Sequence, residues 1–216
     1  MEIQTMLNML LKGALVSLEI FVVTLVGSLI LGLLLCFVRM SRFAVLRILA
    51  KIYISVMRGT PLMLQLFVVY FGPYYIFRVP NTSSYKIIAI FIGFVLNYAA
   101  YFAEIYRSGI EGIPIGQYEA AEMLGYNRVK TFFYIILPQV IKRIIPPVTN
   151  ETITLIKDTS LAFTLSVAEM FTIAKQIAAG DRTVTAFILA GIIYYIFNLI
   201  VAGAFAKLEK RLSYYR

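Results

Sequence analysis

The sequence predicts an all-α membrane protein whose chain crosses the bilayer about five times. Of its 216 residues 61% are hydrophobic, and the mean hydropathy is +0.85, whereas an ordinary soluble domain is about half apolar. The apolar residues also form continuous runs that approach the roughly 20 residues needed for a spanning helix. A transmembrane β-barrel would show short alternating strands instead, so we reject that class. We treat residues 1–216 as a single transmembrane domain.

Five apolar segments account for the predicted spans. They are expected at residues 13–38, 53–77, 86–106, 131–158 and 184–206. Before the first span we expect an amphipathic lead-in at 1–12, and after it a basic loop at 39–52. A short outer loop is expected at 78–85 and a basic tail at 207–216. Four charged residues interrupt 159–183, which predicts a short helix or re-entrant segment ending near Gly180.

Small residues and prolines modify two of these spans. Ser28 and Gly32 in the first span are four residues apart and form a face that allows another helix to approach closely. The sequence Arg-Gly-Thr-Pro at 58–61 predicts a kink or an unwound turn in the second span. Pro138 and the pair Pro146-Pro147 predict bends in the fourth.

The composition also excludes several kinds of site. The chain has no histidine and one cysteine, which removes a Ser-His or Cys-His nucleophile, most zinc sites and an internal disulfide. The sequence contains no Gly-x-x-x-x-Gly-Lys-Ser/Thr loop, so we expect no nucleotide binding by that device. We therefore predict no catalytic residue, metal ligand or cofactor in this chain.

The net charge of +9 is better explained by membrane orientation than by nucleic-acid binding. If the amino terminus is outside, the inner segments 39–52, 107–130 and 207–216 carry four, three and four basic residues, against five in the outer segments. Basic residues concentrate in cytoplasmic loops. We therefore expect a multi-pass protein of a bacterial or archaeal cell membrane, with its amino terminus outside and its carboxy terminus in the cytoplasm.

A polar segment between the third and fourth spans carries the most specific pattern. Glu119-Ala120-Ala121 is followed by Gly125, and after nine further residues by the sequence Ile-Ile-Leu-Pro at 135–138. This spacing resembles the EAA loop in the membrane subunits of ATP-binding-cassette (ABC) importers. The count of basic residues independently places this segment on the cytoplasmic side, where the resemblance requires it.

The resemblance extends over most of residues 58–161 and is closest to the permeases for polar amino acids of the histidine, arginine and glutamine type. It is carried by the sequences RGTP at 58–61, AEIYRSGI at 103–110, GQ at 116–117, LPQ at 137–139 and KDTSL at 157–161. It implies the type I ABC importer permease fold and a dimer of permeases, for which we expect a homodimer; a related chain as the second permease is the alternative. It also implies two copies of an ATPase subunit that binds ATP and Mg, and an extracytoplasmic amino-acid-binding protein.

The EAA segment, residues 117–126, is expected to form a coupling helix that contacts the ATPase subunit. We expect this helix to begin at Gln117 or Tyr118 and to end before Gly125, which suits a left-handed cap. Acidic residues in its first turns would complement the helix dipole, and the two alanines would allow close packing of the partner. The predicted coupling residues are Glu119, Ala120, Ala121, Glu122 and Gly125. The alternative is an ordinary interfacial helix.

Two polar helix faces predict a substrate pocket near the middle of the membrane. Asn97, Tyr101 and Glu104 share one face of the third span, and Glu151, Thr154 and Asp158 share one face of the fourth. Ionisable groups inside a bilayer are costly and are functional candidates by default. Such a pocket would suit an α-ammonium group and favours a basic amino acid. The predicted substrate-binding residues are Asn97, Tyr101, Glu104, Glu151, Thr154, Asp158, Thr60 and Gln65.

Other interpretations of these residues remain open. Glu104 and Asp158 could be neutralised by neighbouring basic residues and have only a structural role. An ion-coupled secondary amino acid transporter would also place acids in the membrane, but it needs no coupling helix. A membrane enzyme has few groups here with which to work, and an amino acid channel or scaffold is a further alternative.

Overall fold

The protein is described by a computed structural model that covers residues 2–80 and 82–212, and the described residues are nearly all helical. In chain order the helices are α1 (Ile3–Arg39), α2 (Ala44–Gly59), α3 (Leu62–Phe77), α4 (Ser83–Glu111), α5 (Ile115–Met123), α6 (Arg128–Lys130), α7 (Leu137–Asp158), α8 (Met170–Asp181) and α9 (Thr185–Leu212). A π-helical segment (Thr131–Ile136) joins α6 to α7, and a 3₁₀ segment (Thr159–Leu165) follows α7. Part of the predicted outer loop, Asn81, and the end of the predicted basic tail, including Arg216, lie outside the described residues.

Four helical units of the described chain are long and apolar enough to cross a membrane. They are α1, α4, the continuous stretch Arg128–Leu165, and α9, and the bent pair of α2 and α3 makes a fifth if it counts as one span. The predicted class of an all-α polytopic protein with about five spans is therefore confirmed.

Helix α1 packs lengthwise against α4, and small residues allow the two backbones to approach. Ser28 and Gly32 are both buried. A Cβ built on Gly32 would lie 2.8 Å from the Cβ of Phe102 and 3.0 Å from the carbonyl oxygen of Ala99. The small-residue face predicted from the sequence is therefore a helix–helix contact.

The first helix begins ten residues before the predicted start of the first span. The predicted lead-in at 1–12 is part of α1 from Ile3 onwards. The reason is packing: Met6 and Leu10 are buried in a cluster with residues of α8 and α9. The polar residues of this segment lie on the remaining face, so one regular helix satisfies both environments.

The second span differs most from its prediction. Residues 44–52 are helical, whereas a loop was predicted over 39–52, and the helix stops at Gly59. A new helix starts after Pro61 and turns by 112°. Proline restricts the residue before it to extended backbone, and Thr60 has φ −121° and ψ 148°. The predicted kink is present, but it separates two helices of 16 residues each.

The fourth span contains an irregularity, though not at every proline. The π-helical segment Thr131–Ile136 comes immediately before Pro138, whose ring cannot follow a regular helix without disturbing the preceding turn. Helix α7 continues through Pro146 and Pro147 without an interruption. After α7, the 3₁₀ segment and α8 form the short helical excursion predicted for residues 159–183.

Candidate substrate cavity and coupling surface

The break between α2 and α3 faces α4 and α7 across a cavity of about 380 Å³. Six of the eight residues predicted to bind substrate line it. These are Thr60, Asn97, Tyr101, Glu151, Thr154 and Asp158, and they are joined by Pro61, Leu62, Tyr98 and Leu161. Helical spacing therefore brings the two predicted polar faces to a common space.

The two acids of the cavity come from the same face of α7. Glu151 and Asp158 are seven residues apart, two turns of helix, with Thr154 between them on the same side. Asp158 accepts a hydrogen bond of 2.7 Å from the hydroxyl of Tyr98. Among the described residues, no hydrogen bond or ion pair reaches Glu151, which leaves its carboxylate available to a ligand in the cavity.

Tyr98 is a residue of this site that the sequence analysis missed. It is fully buried and belongs to the aromatic core of α4, where it stacks on Phe94. An aromatic side chain in an apolar helix usually indicates packing, so its hydroxyl carried no separate signal. Its position three residues before Tyr101 was the available clue.

Gln65 lies behind the cavity wall and organises it. Its amide nitrogen donates to the carbonyl oxygens of Met57 and Thr60, at 3.0 and 3.1 Å, and to the Thr60 hydroxyl at 2.8 Å. Its amide oxygen accepts from the buried Asn97 side chain at 2.9 Å. The carbonyl groups freed where α2 ends are thus satisfied by side chains, as an interrupted membrane helix requires. Gln65 therefore contacts the cavity through Thr60 and Asn97.

Glu104, also predicted to bind substrate, does not line this cavity. It forms a salt bridge with Arg107 one turn further along α4, and Arg107 also pairs with Glu111. Glu104 follows Tyr101 by three residues and Asn97 by seven, so it shares their face of α4, but it lies one turn beyond Tyr101 and outside the lining of this cavity. Its carboxylate instead borders a second cavity that contains three basic residues.

The predicted coupling helix is present as α5, with bounds that differ slightly from the prediction. It begins at Ile115 behind Pro114 and ends at Met123. Gly125 follows with φ +76°, the left-handed conformation predicted for it. The amide of Gly125 donates to the carbonyl of Glu122 at 2.9 Å, and that of Tyr126 to Ala121 at 3.0 Å. These bonds form a Schellman cap.

Two details of the predicted coupling helix are wrong. Because α5 begins at Ile115, Glu119 and Glu122 lie after its first turn, which contains no acid, so they do not complement the helix amino terminus. Ala121 is buried within this chain, so only Ala120 of the two alanines faces outward. Large apolar side chains are exposed beside the acids, and Met123 is 88% exposed.

The predicted coupling helix and the turn that precedes it are attached to α7 by two polar contacts. The amide of Gln139 donates to the Gln117 side chain at 3.2 Å. The guanidinium of Arg143 donates to the carbonyl of Gly112 at 2.6 Å, in the turn that connects α4 to α5. Helix α7 therefore touches the coupling segment near its start and the acidic cavity near its end.

Known proteins of similar sequence are membrane components of transport systems. The family model for the "Binding-protein-dependent transport system inner membrane component" matches residues 8–214. The L-cystine transport system permease protein TcyB of Bacillus subtilis is 37% identical over 205 residues, with 94% of this chain and 86% of that protein covered. The arginine transport system permease protein ArtQ of the same organism is 37% identical over 208 residues, with 94% and 92% covered.

Solved structures give the same fold. The crystal structure of an amino acid ABC transporter with histidines matches with a TM-score of 0.87 and 27% identity, over 98% of this chain and 99% of that one. The MetNI methionine ABC transporter in an inward-facing form matches with a TM-score of 0.78 over 99% and 100% of the two chains, but at 16% identity it supports the fold alone. The chain belongs to the family of inner membrane components of binding-protein-dependent transport systems.

Proposed function

We propose that this chain is the permease subunit of an ABC importer for polar amino acids, with a basic amino acid as its substrate. The observation that carries this proposal is the cavity between α4, α7 and the α2–α3 break, which presents Glu151 and Asp158 to a space of about 380 Å³. A cavity of this size accommodates an amino acid, and it contains hydrogen-bonding groups of several kinds.

The charge of the cavity favours a cationic substrate. Two carboxylates within a low-dielectric region attract an α-ammonium group and a second cation on the side chain, because charges there are costly unless they are paired. The Asp158 carboxylate already accepts a hydrogen bond from Tyr98. Among the described residues Glu151 forms no hydrogen bond or salt bridge, and the charge of Arg58 acts on it only from a distance. Glu151 is therefore the residue we expect to pair with the substrate.

Relatives are compatible with this substrate class and with others. The matched proteins are named for arginine, octopine and L-cystine transport, and the matched solved transporter is described with histidines. Family membership therefore limits the substrate to no single amino acid. The acidic lining of this particular cavity is the reason to choose a basic one.

The proposed assembly contains two permease subunits, two ATPase subunits and an external binding protein. Two permease subunits are needed because each supplies one coupling helix and each ATPase subunit needs one, and we propose that both are copies of this chain. ATP and Mg would be bound by the ATPase subunits. The orientation follows from the basic residues, with the amino terminus outside and α5 in the cytoplasm of a bacterial cell.

Transport would proceed by alternating access. Closure of the ATPase dimer would displace α5, and the contacts of Gln139 and Arg143 would pass that displacement to α7. Because α7 also carries Glu151 and Asp158, the cavity would open towards one side or the other as α7 moves.

The test is uptake by the purified complex in liposomes, with the binding protein and ATP supplied. We expect arginine, lysine or histidine to be taken up in preference to glutamine or glutamate. Glu151→Gln should reduce uptake of the preferred substrate by at least about tenfold, which corresponds to a loss of about 1.4 kcal/mol if the change lies in binding. Glu19→Gln, which removes an exposed acid of α1 away from the cavity, is the matched control. Equal uptake by wild type and Glu151→Gln would overturn the assignment of Glu151, and uptake of neutral amino acids alone would overturn the substrate class.

A further inference from the structure

A second cavity, of about 350 Å³, lies where the end of α1 meets α2 and α4, and it is strongly basic. Its lining consists of Arg39, Lys51, Ile54, Ser55, Arg58, Gly59 and Glu104. Lys51, Ser55 and Arg58 are spaced by four and three residues, so they share one face of α2. Three cations thus surround one small space.

The acid of this cavity does not balance its cations. Glu104 is already paired with Arg107, which lies on the same helix and outside the cavity lining. Arg107 pairs with Glu111 as well, so Glu104 and Arg107 belong to a network on α4 that includes none of the cavity's cations. Arg58 lies 5.2 Å from the ring centroid of Tyr101. It interacts electrostatically with Glu104 and Glu151, but within residues 2–80 and 82–212 it forms no salt bridge with either. The cavity therefore carries excess positive charge and favours an anion.

An apolar surface continues from the rim of this cavity. Val45, Ile48, Ile52 and Val56 are all more than half exposed and follow one another along the adjacent face of α2. Helix α2 is thus amphipathic, with a basic stripe beside an apolar one. It is bent by 112° from α3, so if α3 follows the membrane normal, α2 lies close to the membrane plane, as interfacial amphipathic helices do.

We infer that this basic cavity binds the phosphate-bearing headgroup of an anionic phospholipid, whose acyl chains lie along the exposed apolar face of α2. The three cations complement the headgroup charge, and the adjoining apolar stripe complements the chains. A two-fold related second copy of the protein fits this face less well, because an isologous contact would bring two sets of these cations together. The inference does not depend on which amino acid is transported.

The test uses a fluorescent reporter on the apolar face. The chain contains no tryptophan, so Ile52→Trp introduces the only one in this subunit, at an exposed position. The complex with its ATPase would be reconstituted into mixed vesicles of phosphatidylglycerol and phosphatidylcholine, with bromine on the chains of one lipid or the other. The fluorescence of the same complex without the Ile52→Trp substitution is subtracted, so that only the reporter's fluorescence is compared.

We expect brominated phosphatidylglycerol to quench the reporter more than brominated phosphatidylcholine at equal mole fraction. One Lys or Arg near a membrane surface changes anionic-lipid affinity by about fivefold. Adding Arg39→Gln and Lys51→Gln should therefore reduce the selectivity by on the order of tenfold or more. Lys207→Gln, which removes an exposed cation of α9 outside the cavity, should leave the lipid selectivity unchanged. Arg58 is not substituted, because it lies beside the substrate cavity.

Three results would overturn the inference. Equal quenching by the two brominated lipids would show that the site does not select an anionic headgroup. No quenching by either would show that protein, not lipid, covers this face of α2. Loss of the selectivity on addition of inorganic phosphate would assign the site to the free anion. Each result is independent of amino acid uptake, so failure here leaves the transport proposal intact.

Discussion

The carboxylate of Glu169 connects three helices where α8 begins. Glu169 is fully buried and accepts hydrogen bonds from the backbone amides of Phe171 and Thr172, at 2.7 and 2.6 Å, which makes it the amino-terminal cap of α8. Ser17 of α1 and Tyr194 of α9 also donate to it, at 3.4 and 3.3 Å. From the sequence this acid only marked an interruption of the apolar pattern, because neither donor helix is near it in the chain.

We expect Glu169→Gln to lower the stability of the permease. The amide group can offer one acceptor oxygen, whereas the carboxylate serves several donors with two, so at least one buried donor loses its partner at a cost of about 1–3 kcal/mol. The measurement is thermal unfolding of the purified protein in detergent, with Glu19→Gln as the control for loss of an exposed acid. An unchanged midpoint for Glu169→Gln would show that the cap contributes little.

The capped end of α5 presents the proposed coupling surface, and the geometry of this end depends on Gly125. A residue with a Cβ at φ +76° costs about 1–2 kcal/mol relative to glycine. Gly125 is exposed beside Leu124, which is 74% exposed, so a carboxylate introduced here would also be desolvated when an apolar partner surface covers it.

We therefore expect Gly125→Asp to abolish co-purification of the ATPase subunit while the permease still inserts into the membrane. Gly125→Asn, which tolerates the left-handed conformation and adds no charge, should retain more association. With Gly180→Asp, at another exposed glycine where an added Cβ would meet no atom of another part of the chain within 4 Å, the ATPase should co-purify normally. Normal recovery of the ATPase with Gly125→Asp would exclude α5 as the contact.

Sequence reasoning located helices well where a local signal existed. The spacing of Glu119 and Gly125 identified α5 and its cap, and the helical spacing of Asn97, Tyr101, Glu151 and Asp158 identified two faces that do meet. It failed where distant packing decides the outcome. The buried contacts of Met6 and Leu10 with α8 and α9 extend α1, and the local sequence does not reveal them. Glu104 is a different case: helical spacing allowed both a pocket role and neutralisation by a neighbouring basic residue, and the structure shows the pair with Arg107.

At the scale of the whole molecule, α7 is the element common to the two proposed working parts. Its first half contacts the coupling segment through Gln139 and Arg143, and its last half lines the acidic cavity with Glu151, Thr154 and Asp158. A regular α-helix rises 1.5 Å per residue, so the distance along α7 from Arg143 to Asp158 is about 22 Å. Helix α7 continues without interruption through Pro146 and Pro147, so both regions lie on one continuous helix.

This arrangement predicts that Arg143→Met uncouples ATP hydrolysis from substrate delivery. Methionine keeps an apolar stem against Gly112 but cannot donate to its carbonyl oxygen, so α5 and the α4–α5 turn would shift without α7. We expect the ATPase to co-purify and basal hydrolysis to persist, while stimulation by the loaded binding protein falls at least severalfold. Arg42→Met, which removes an exposed cation of the α1–α2 turn, should keep full stimulation. Arg143→Lys should restore part of the stimulation, because an ammonium group can still reach a carbonyl oxygen. Full stimulation in Arg143→Met would mean that the displacement of α5 reaches the cavity by another route.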